Sequence, residues 1–249
     1  MKTLAGLTAL FLTVTPIVSS AHEEMDEAMI EHHLTTAVNL TALAFQSLAV
    51  PGLVAAYSFN EGAGSTANDN SGNTNTGTIT GAVWNSSGKY GSALAFNDAA
   101  DWVNVSDSAS LDLTTGMTLE AWVNPSTLGD WRPVIFKQRP NQLSYSLYAS
   151  NASFPATHIG TAASGSNDFG VSGGGVLPLN TWSHLSATYD GVTLRLYING
   201  VQVAANTHTS SLIASTGSLR IGTDSVWNNF FIGRIDEVRV YNRALTPAE

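Results

Sequence analysis

The sequence predicts an all-β protein, a two-sheet antiparallel sandwich or jelly roll that begins near residue 51. Three observations favour this fold class. Short segments of alternating apolar and polar residues recur along the chain, separated by clusters of Gly, Asn, Ser and Thr, as in sheets with one buried face. The dipeptides Asp190-Gly191 and Asn199-Gly200 each separate two such segments, which is a strong short-range signal for a β-hairpin. After residue 50, no apolar pattern of helical period is long enough to predict a helix.

The predicted strands follow from this alternation. Between residues 117 and 124, Leu119, Ala121 and Val123 fall on one face, whereas Glu120 falls on the other. Residues 62–81 are rich in turn-forming residues and are predicted to be a loop. The predicted strands are Leu53–Phe59, Leu94–Phe96, Trp102–Val105, Met117–Asn124, Pro133–Lys137, Leu143–Tyr148, Trp182–Tyr189, Val192–Ile198, Val201–Ala205, Leu219–Ile221 and Gly233–Tyr241.

The N-terminus has the pattern of an export signal. Lys2 precedes an apolar run over residues 4–18, and the small residues 19–21 offer a cleavage site. The run is shorter than the ~20 residues of a membrane helix, so we predict a signal peptide at residues 1–21, no stable membrane span in the mature chain, and a secreted or cell-envelope location. Residues 22–50, acidic and then loosely apolar, are predicted to be a helical or disordered spacer before the domain of residues 51–249.

Charge and cysteine content narrow the function further. The chain has 249 residues and a formal net charge of −9, which argues against a nucleic-acid partner because phosphate binding requires a basic surface. There is no cysteine, so no disulfide supports the exported domain, and its stability depends on core burial with a bound metal as a supplement. An export signal without cysteine is typical of a bacterial envelope or secreted protein.

A series of segments then carries a family resemblance. These segments are Leu53–Gly62, Asp69–Asn73 with Gly77, Gly91–Phe96, Trp102–Val105, Met117–Val123, Trp182–Leu185 and Gly233–Leu245. In this order, and from about residue 52 onward, they resemble the laminin-G-like, concanavalin A-like jelly-roll domains common in bacterial extracellular proteins. The resemblance implies two stacked antiparallel sheets and a sugar- or surface-binding role. A fold alone does not imply catalysis.

The last predicted strand raises the question of a buried carboxylate. By strict alternation Asp236 shares a face with Val238 and Val240, which predicts that it points into the core. An unpaired carboxylate there is costly, so it requires a cation or several hydrogen-bond donors. One alternative is a salt bridge from Asp236 to Arg234 or Arg239.

The resemblance implies that the loop at Asp69 meets the end of this last strand. The loop is rich in the carboxylate and amide oxygens that calcium prefers, and calcium tolerates irregular geometry. The sequence therefore predicts a structural calcium ion held by Asp69, Asn73, Asn75 and Asp236. The alternative for Asp69 is an Asx turn.

Aromatic residues in loops predict a glycan site, because sugars stack their apolar faces on aromatic rings and loops on a rigid sandwich often carry binding residues. Trp131 and Trp227 are both predicted to lie in loops, whereas Trp122 and Trp182 alternate within strands and are assigned to the core. The predicted ligand-binding residues are Trp131, Trp227, Arg132, Asp168 and Asn228.

Catalysis is the main alternative, because the resembling fold also carries glycoside hydrolases and polysaccharide lyases. A retaining hydrolase needs two carboxyl groups ~5–5.5 Å apart, and the E-x-D-x-E pattern that supplies them along one strand is absent here. A lyase would draw on His, Tyr and Arg side chains; the candidates include His158, His184, Tyr145 and Tyr148. No spacing selects these residues, so we predict no catalysis.

The favoured interpretation is a secreted module that binds an extracellular glycan or polysaccharide. A third interpretation is an adhesion or cell-surface structural module whose partner is a surface protein. The class of ligand retained by the protein distinguishes the two.

Overall fold

The computed structural model describes residues 50–164 and 168–249, and the regular secondary structure of this part of the chain is almost entirely β. Its one helical element is a 3₁₀ turn at Ala109–Leu111. The strands in chain order are β1 (Leu53–Tyr57), β2 (Thr66–Ala67), β3 (Gly77–Thr80), β4 (Val83–Asn85), β5 (Ala93–Phe96), β6 (Trp102–Val105), β7 (Met117–Pro125), β8 (Trp131–Arg139), β9 (Gln142–Asn151), β10 (Ala156–Gly160), β11 (Asp168–Ser172), β12 (Ser183–Tyr189), β13 (Thr193–Ile198), β14 (Val201–Thr207), β15 (Leu219–Ile221) and β16 (Gly233–Tyr241).

These strands form two antiparallel sheets. Sheet 1 has the order β14-β13-β12-β7-β16-β5-β4, and β1 also pairs with β16. Sheet 2 has the order β11-β10-β9-β8-β15-β6-β3-β2. Leu119 and Val240 of sheet 1 belong to the same apolar cluster as Ile135 and Leu147 of sheet 2, and all four are fully buried. The predicted all-β, two-sheet sandwich is confirmed.

Alternation along β7 shows how the sequence builds this core. Leu119, Ala121 and Val123 are fully buried, whereas Glu120 and Trp122 between them are only partly buried. Burying one large aliphatic side chain stabilises a fold by about 1.5–3 kcal/mol, so a strand that alternates in this way has one preferred orientation.

The predicted hairpin turns are present. Asn199 and Gly200 both have positive φ, 51° and 79°, as a type I′ turn between β13 and β14 requires. At the turn between β12 and β13, the side chain of Asp190 accepts hydrogen bonds from the backbone N–H groups of Val192 and Thr193.

Strand β16 departs from the predicted alternation because it contains a β-bulge. Its register with β7 shifts after Asp236, and Glu237 has a φ of 49°. Asp236 lies opposite the outward-facing Trp122, while Val238 and Val240 belong to the core. The prediction that Asp236 shares the face of these valines is therefore wrong, since one inserted residue moves all later residues to the other face.

The assignment of Trp122 and Trp182 to the core is also wrong. Both rings are partly exposed, and each is covered by a cation: Lys89 Nζ lies 4.1 Å from the Trp122 ring centroid, and the Arg234 guanidinium lies 5.4 Å from that of Trp182. In β7 the inward positions belong to smaller aliphatic residues, so the alternation itself directs Trp122 outward.

Five strands, β2, β3, β4, β10 and β11, were not predicted from the sequence. All are short and each contains Thr, Gly, Ser or Asn, so local pattern does not separate them from loops. The predicted signal peptide and the predicted spacer up to residue 49 lie outside the described residues. Within the described ranges, no helix is long and apolar enough to span a membrane.

Candidate functional site

A second apolar cluster lies on the side of sheet 2 that faces away from the core. Its buried members are Phe136, Leu143, Tyr148 and Ala156, and the partly buried Trp131 and Val226 pack against them. Phe136 follows Ile135 in β8, and Ile135 belongs to the main core. The outer face of this sheet therefore carries an aromatic floor rather than a simple polar surface.

A cleft of about 540 Å³ opens above this floor. This volume lies within the range of small-molecule binding sites. The lining residues are Trp131, Leu143, Tyr148, His158, Asp168, Trp227 and Asn229. The structure thus brings together Trp131, Trp227 and Asp168, three of the five residues predicted to bind ligand.

Trp131 forms one wall of the cleft. It is the first residue of β8 and not part of a loop, contrary to the sequence prediction. Its ring meets Tyr148 edge to face at a centroid distance of 5.0 Å and lies 5.5 Å from the ring of His158. These contacts hold the indole in a fixed orientation, as a stacking platform requires.

Trp227 also lines the cleft and lies in a loop, as predicted. The loop is closed by a bridge between Thr223 and Phe230. Inside it, the buried Asp224 accepts hydrogen bonds from the Trp227 backbone N–H at 2.7 Å and from Asn229 Nδ2 at 2.9 Å. Trp227 remains 47% exposed and is therefore accessible to a ligand.

Arg132 and Asn228 have different positions from the other predicted residues. Arg132 donates from Nη1 to the Phe230 carbonyl at 2.9 Å, and so holds the Trp227 loop instead of lining the cleft. Asn228 is exposed at the loop turn with a φ of 59°, and its neighbour Asn229 lines the cleft.

His158 and Asp168 form the polar edge of the cleft. His158 Nδ1 and Asp168 Oδ2 are hydrogen-bonded, and this bond lowers the pKa of Asp168 against the raising effect of burial. Gly170 lies opposite His158 in β11, where a Cβ would stand 2.5 Å from Nδ1. A glycine at this position therefore lets the imidazole lie close against the sheet.

Tyr148 contributes its ring to the floor but its phenol is a poor base. Burial raises the pKa of this hydroxyl well above its usual range, and the carboxylate of Asp224 adds to the shift. The phenol is therefore protonated near neutral pH, so it acts as apolar surface and hydrogen-bonding group.

Sequence reasoning did not place Leu143, Tyr148, His158 and Asn229 in the site. Tyr148 and His158 were named from the sequence only as candidate catalytic residues of a lyase, and no spacing in the sequence singled them out. His158 lies on β10, a strand that the pattern does not reveal, so no sequence signal places it near Trp131.

The residues predicted to bind calcium have other partners. Asp69 Oδ1 accepts the backbone N–H groups of Ala56 and Ser71 at 2.9 Å each, and Oδ2 accepts Ser71 Oγ and the Asn75 backbone N–H at 2.8 Å each. This is the alternative interpretation, an Asx turn. Asn73 and Asn75 donate to carbonyls of β1, which fastens the loop to that strand.

The carboxylate of Asp236 also has hydrogen-bond partners other than a metal ion. It is fully buried and accepts hydrogen bonds from the backbone N–H groups of Lys89, Tyr90 and Glu237 at 2.7–2.9 Å. The predicted alternative of a salt bridge to Arg234 or Arg239 is replaced by these bonds. Across residues 50–164 and 168–249, no group of three or more His, Asp or Glu is arranged to hold a metal ion.

The calcium site stays a prediction, and these contacts do not fit it, because an ion would have to replace N–H donors that already occupy the carboxylates. We expect the melting temperature to be the same in calcium and in EDTA. Thermal unfolding of the full chain in both conditions is the measurement. A fall in EDTA that is reversed by added calcium would contradict this expectation and re-establish the predicted ion.

The two-sheet antiparallel sandwich is a fold that lectin-like binding domains share, and a fold alone does not assign a function. The sequence profile of the concanavalin A-like lectin/glucanases superfamily, Laminin_G_3, matches residues 97–249. The chain therefore belongs to this superfamily. No curated protein sequence matches it.

Solved structures share the fold. The binding domain of Paraclostridial Mosquitocidal Protein 1 is 16% identical with a TM-score of 0.64, and the match covers 79% of this chain and 50% of that one. The botulinum neurotoxin serotype G binding domain is 13% identical with a TM-score of 0.61, covering 79% and 49%. The chain thus spans about half the length of these toxin domains, and at this identity they show the fold alone.

A third structure matches over almost its full length. Domain 4 of AbnA, a GH43 extracellular arabinanase from Geobacillus stearothermophilus, in complex with arabinotriose, is 25% identical with a TM-score of 0.62. The match covers 79% of this chain and 95% of that domain.

Proposed function

We propose that this protein is an exported carbohydrate-binding module whose ligand, an oligosaccharide or a segment of polysaccharide, lies between Trp131 and Trp227 over the ring of Tyr148. The observation that carries the proposal is that two tryptophans from distant parts of the chain line one cleft. Each is held by local contacts, so the apolar surface is formed before the ligand arrives. The arabinotriose complex of the arabinanase domain is consistent with this ligand class.

Binding without cleavage is the better proposal for this cleft. Glycoside hydrolysis generally uses two carboxyl groups on either side of the scissile bond, and among the described residues that line the cleft Asp168 is the single carboxylate. Tyr148 has a raised pKa, which does not suit a general base at neutral pH. The lining therefore provides surface and hydrogen bonds rather than an acid–base pair.

We expect the full chain to be retained by at least one class of glycan, in calcium and in EDTA alike. Affinity electrophoresis on soluble polysaccharides, pull-down on insoluble ones and a glycan array together measure this. Absence of retention on every glycan would contradict the proposal. Capture of a surface protein under the same conditions would instead support the adhesion interpretation.

A further inference from the structure

The contact between His158 and Asp168 determines which hydrogen-bonding groups the cleft offers. The lowered pKa of Asp168 keeps its carboxylate ionised at neutral pH, and an ionised carboxylate only accepts hydrogen bonds. The proton in the contact between Nδ1 and Oδ2 therefore belongs to the imidazole. His158 therefore donates to Asp168 and holds this carboxylate at the edge of the cleft.

The imidazole is held in this orientation from several sides. The ring of Trp131 lies 5.5 Å away and the ring of Tyr148 lies 5.8 Å away, both near edge to face. On the strand side, Gly170 leaves the space that the ring occupies. A ring held by two aromatic neighbours, a missing Cβ and a carboxylate is preorganised, so the carboxylate that it binds has a fixed position in the site.

The nearby arginines do not reverse the polarity of this edge. Arg132 is bound to the Phe230 carbonyl and packs 5.7 Å from the Phe230 ring. Arg139 lies beside Gly160, the partner of Asp168 in the sheet, and helps to lower the pKa of Asp168. Neither arginine is among the described residues that line the cleft, whereas Asp168 is.

From this arrangement we propose that the cleft is selective for saccharides that present hydroxyl groups to Asp168, and that it rejects saccharides presenting a carboxylate there. This selectivity rests on the proposed function of glycan binding. A hydroxyl donates a hydrogen bond to the Asp168 carboxylate, whereas the carboxylate of a uronic acid only accepts. A uronate would therefore place acceptor against acceptor, with a like charge near Asp168, and desolvated groups without partners oppose binding.

The test uses acidic polysaccharides and their carboxyl-reduced forms, which share a backbone and differ in the uronate group. We suggest galacturonan, mannuronan and glucuronan, each beside its reduced neutral form, together with the glycans retained in the first screen. Retention of the full chain is measured at neutral pH. The reduced form of any backbone that is bound should bind at least about tenfold more tightly than the acidic form, the effect expected for one unpaired polar group.

Asp168→Asn tests the origin of the selectivity. The amide is similar in shape, lacks the charge and supplies a donor, so the ratio of the two dissociation constants should fall below about threefold. A purely structural role for Asp168 would weaken both forms equally and leave the ratio unchanged. Asp98→Asn, which changes an exposed carboxylate in the loop between β5 and β6, is the matched control and should preserve the ratio.

The outcomes separate the two proposals. Binding of an acidic form as tight as that of its reduced form, or a ratio that Asp168→Asn does not change, would overturn the selectivity while glycan binding stands. Absence of binding to every acidic and neutral saccharide would overturn glycan binding itself, and the selectivity with it.

Discussion

The double substitution Trp131→Ala and Trp227→Ala is expected to abolish retention on the glycan that the protein binds. Both indoles line the cleft, and alanine removes the wall that each provides. Well-packed aromatic residues at the centre of a binding site typically contribute about 2 kcal/mol or more, so each single substitution should weaken binding roughly 30-fold. Calorimetric titration of the single and double variants with the retained oligosaccharide measures this effect.

Trp182→Ala is the matched control, because Trp182 is also partly exposed but packs against Arg234 of sheet 1. The Trp182→Ala variant should bind the retained oligosaccharide with the same affinity as the unmodified protein. Urea unfolding of all variants separates lost contacts from lost structure, since Trp131 also packs against Tyr148. A folded double variant with unchanged affinity would place the ligand elsewhere on the molecule.

The two tryptophans show how far residue type alone leads towards a site. Trp131 and Trp227 were selected because both were predicted to lie in loops, where aromatic rings are available to stack on sugars. Both have partners, and both also line the cleft, so packing and access coexist. Asp168 was selected as a hydrogen-bonding group, and it belongs to the same cleft.

The remaining cleft residues depend on strand pairing that is not local in sequence. His158 reaches the site because β10 pairs with β9 and β11, and its pairing with Gly170 sets its distance from the sheet. Neither strand has a clear alternating pattern, so the register is decided by neighbouring strands. The loop that carries Trp227 is similarly fixed by one buried residue, Asp224, which accepts hydrogen bonds from the Trp227 backbone N–H and from the Asn229 side chain.

The error at Asp236 has a different cause. Alternation describes a regular strand, and the bulge at Asp236 and Glu237 interrupts it. The rule that a buried carboxylate needs donors is satisfied, but the donors are backbone N–H groups of residues 89 and 90 from a distant turn, not a cation. The sequence therefore predicts that the Asp236 carboxylate needs compensating partners, whereas only the fold shows which groups supply them.

The largest loss of stability is expected from Asp107→Ala. Lys137 in β8 is fully buried, and its ammonium pairs with Asp107, whose side chain is 28% exposed. Removing one partner of a buried ion pair leaves the other charge without compensation, at a cost of about 3–5 kcal/mol. Because water reaches part of this pair, we expect the lower end of that range, or a melting temperature lower by roughly 6–12 °C.

Substitution of the other partner, Lys137, separates the cost of a buried unpaired charge from the cost of the lost contact. Lys137→Met keeps an unbranched apolar side chain in the strand and leaves Asp107, which reaches solvent, to be hydrated. It should therefore cost less than Asp107→Ala, and adding Lys137→Met to Asp107→Ala should restore part of the lost stability. Urea unfolding of the three variants measures these differences. If Asp107→Ala does not fold, a double variant that does fold would support the same conclusion. Equal losses for the two single variants would show that the contact itself, and not the isolated ammonium, determines the effect.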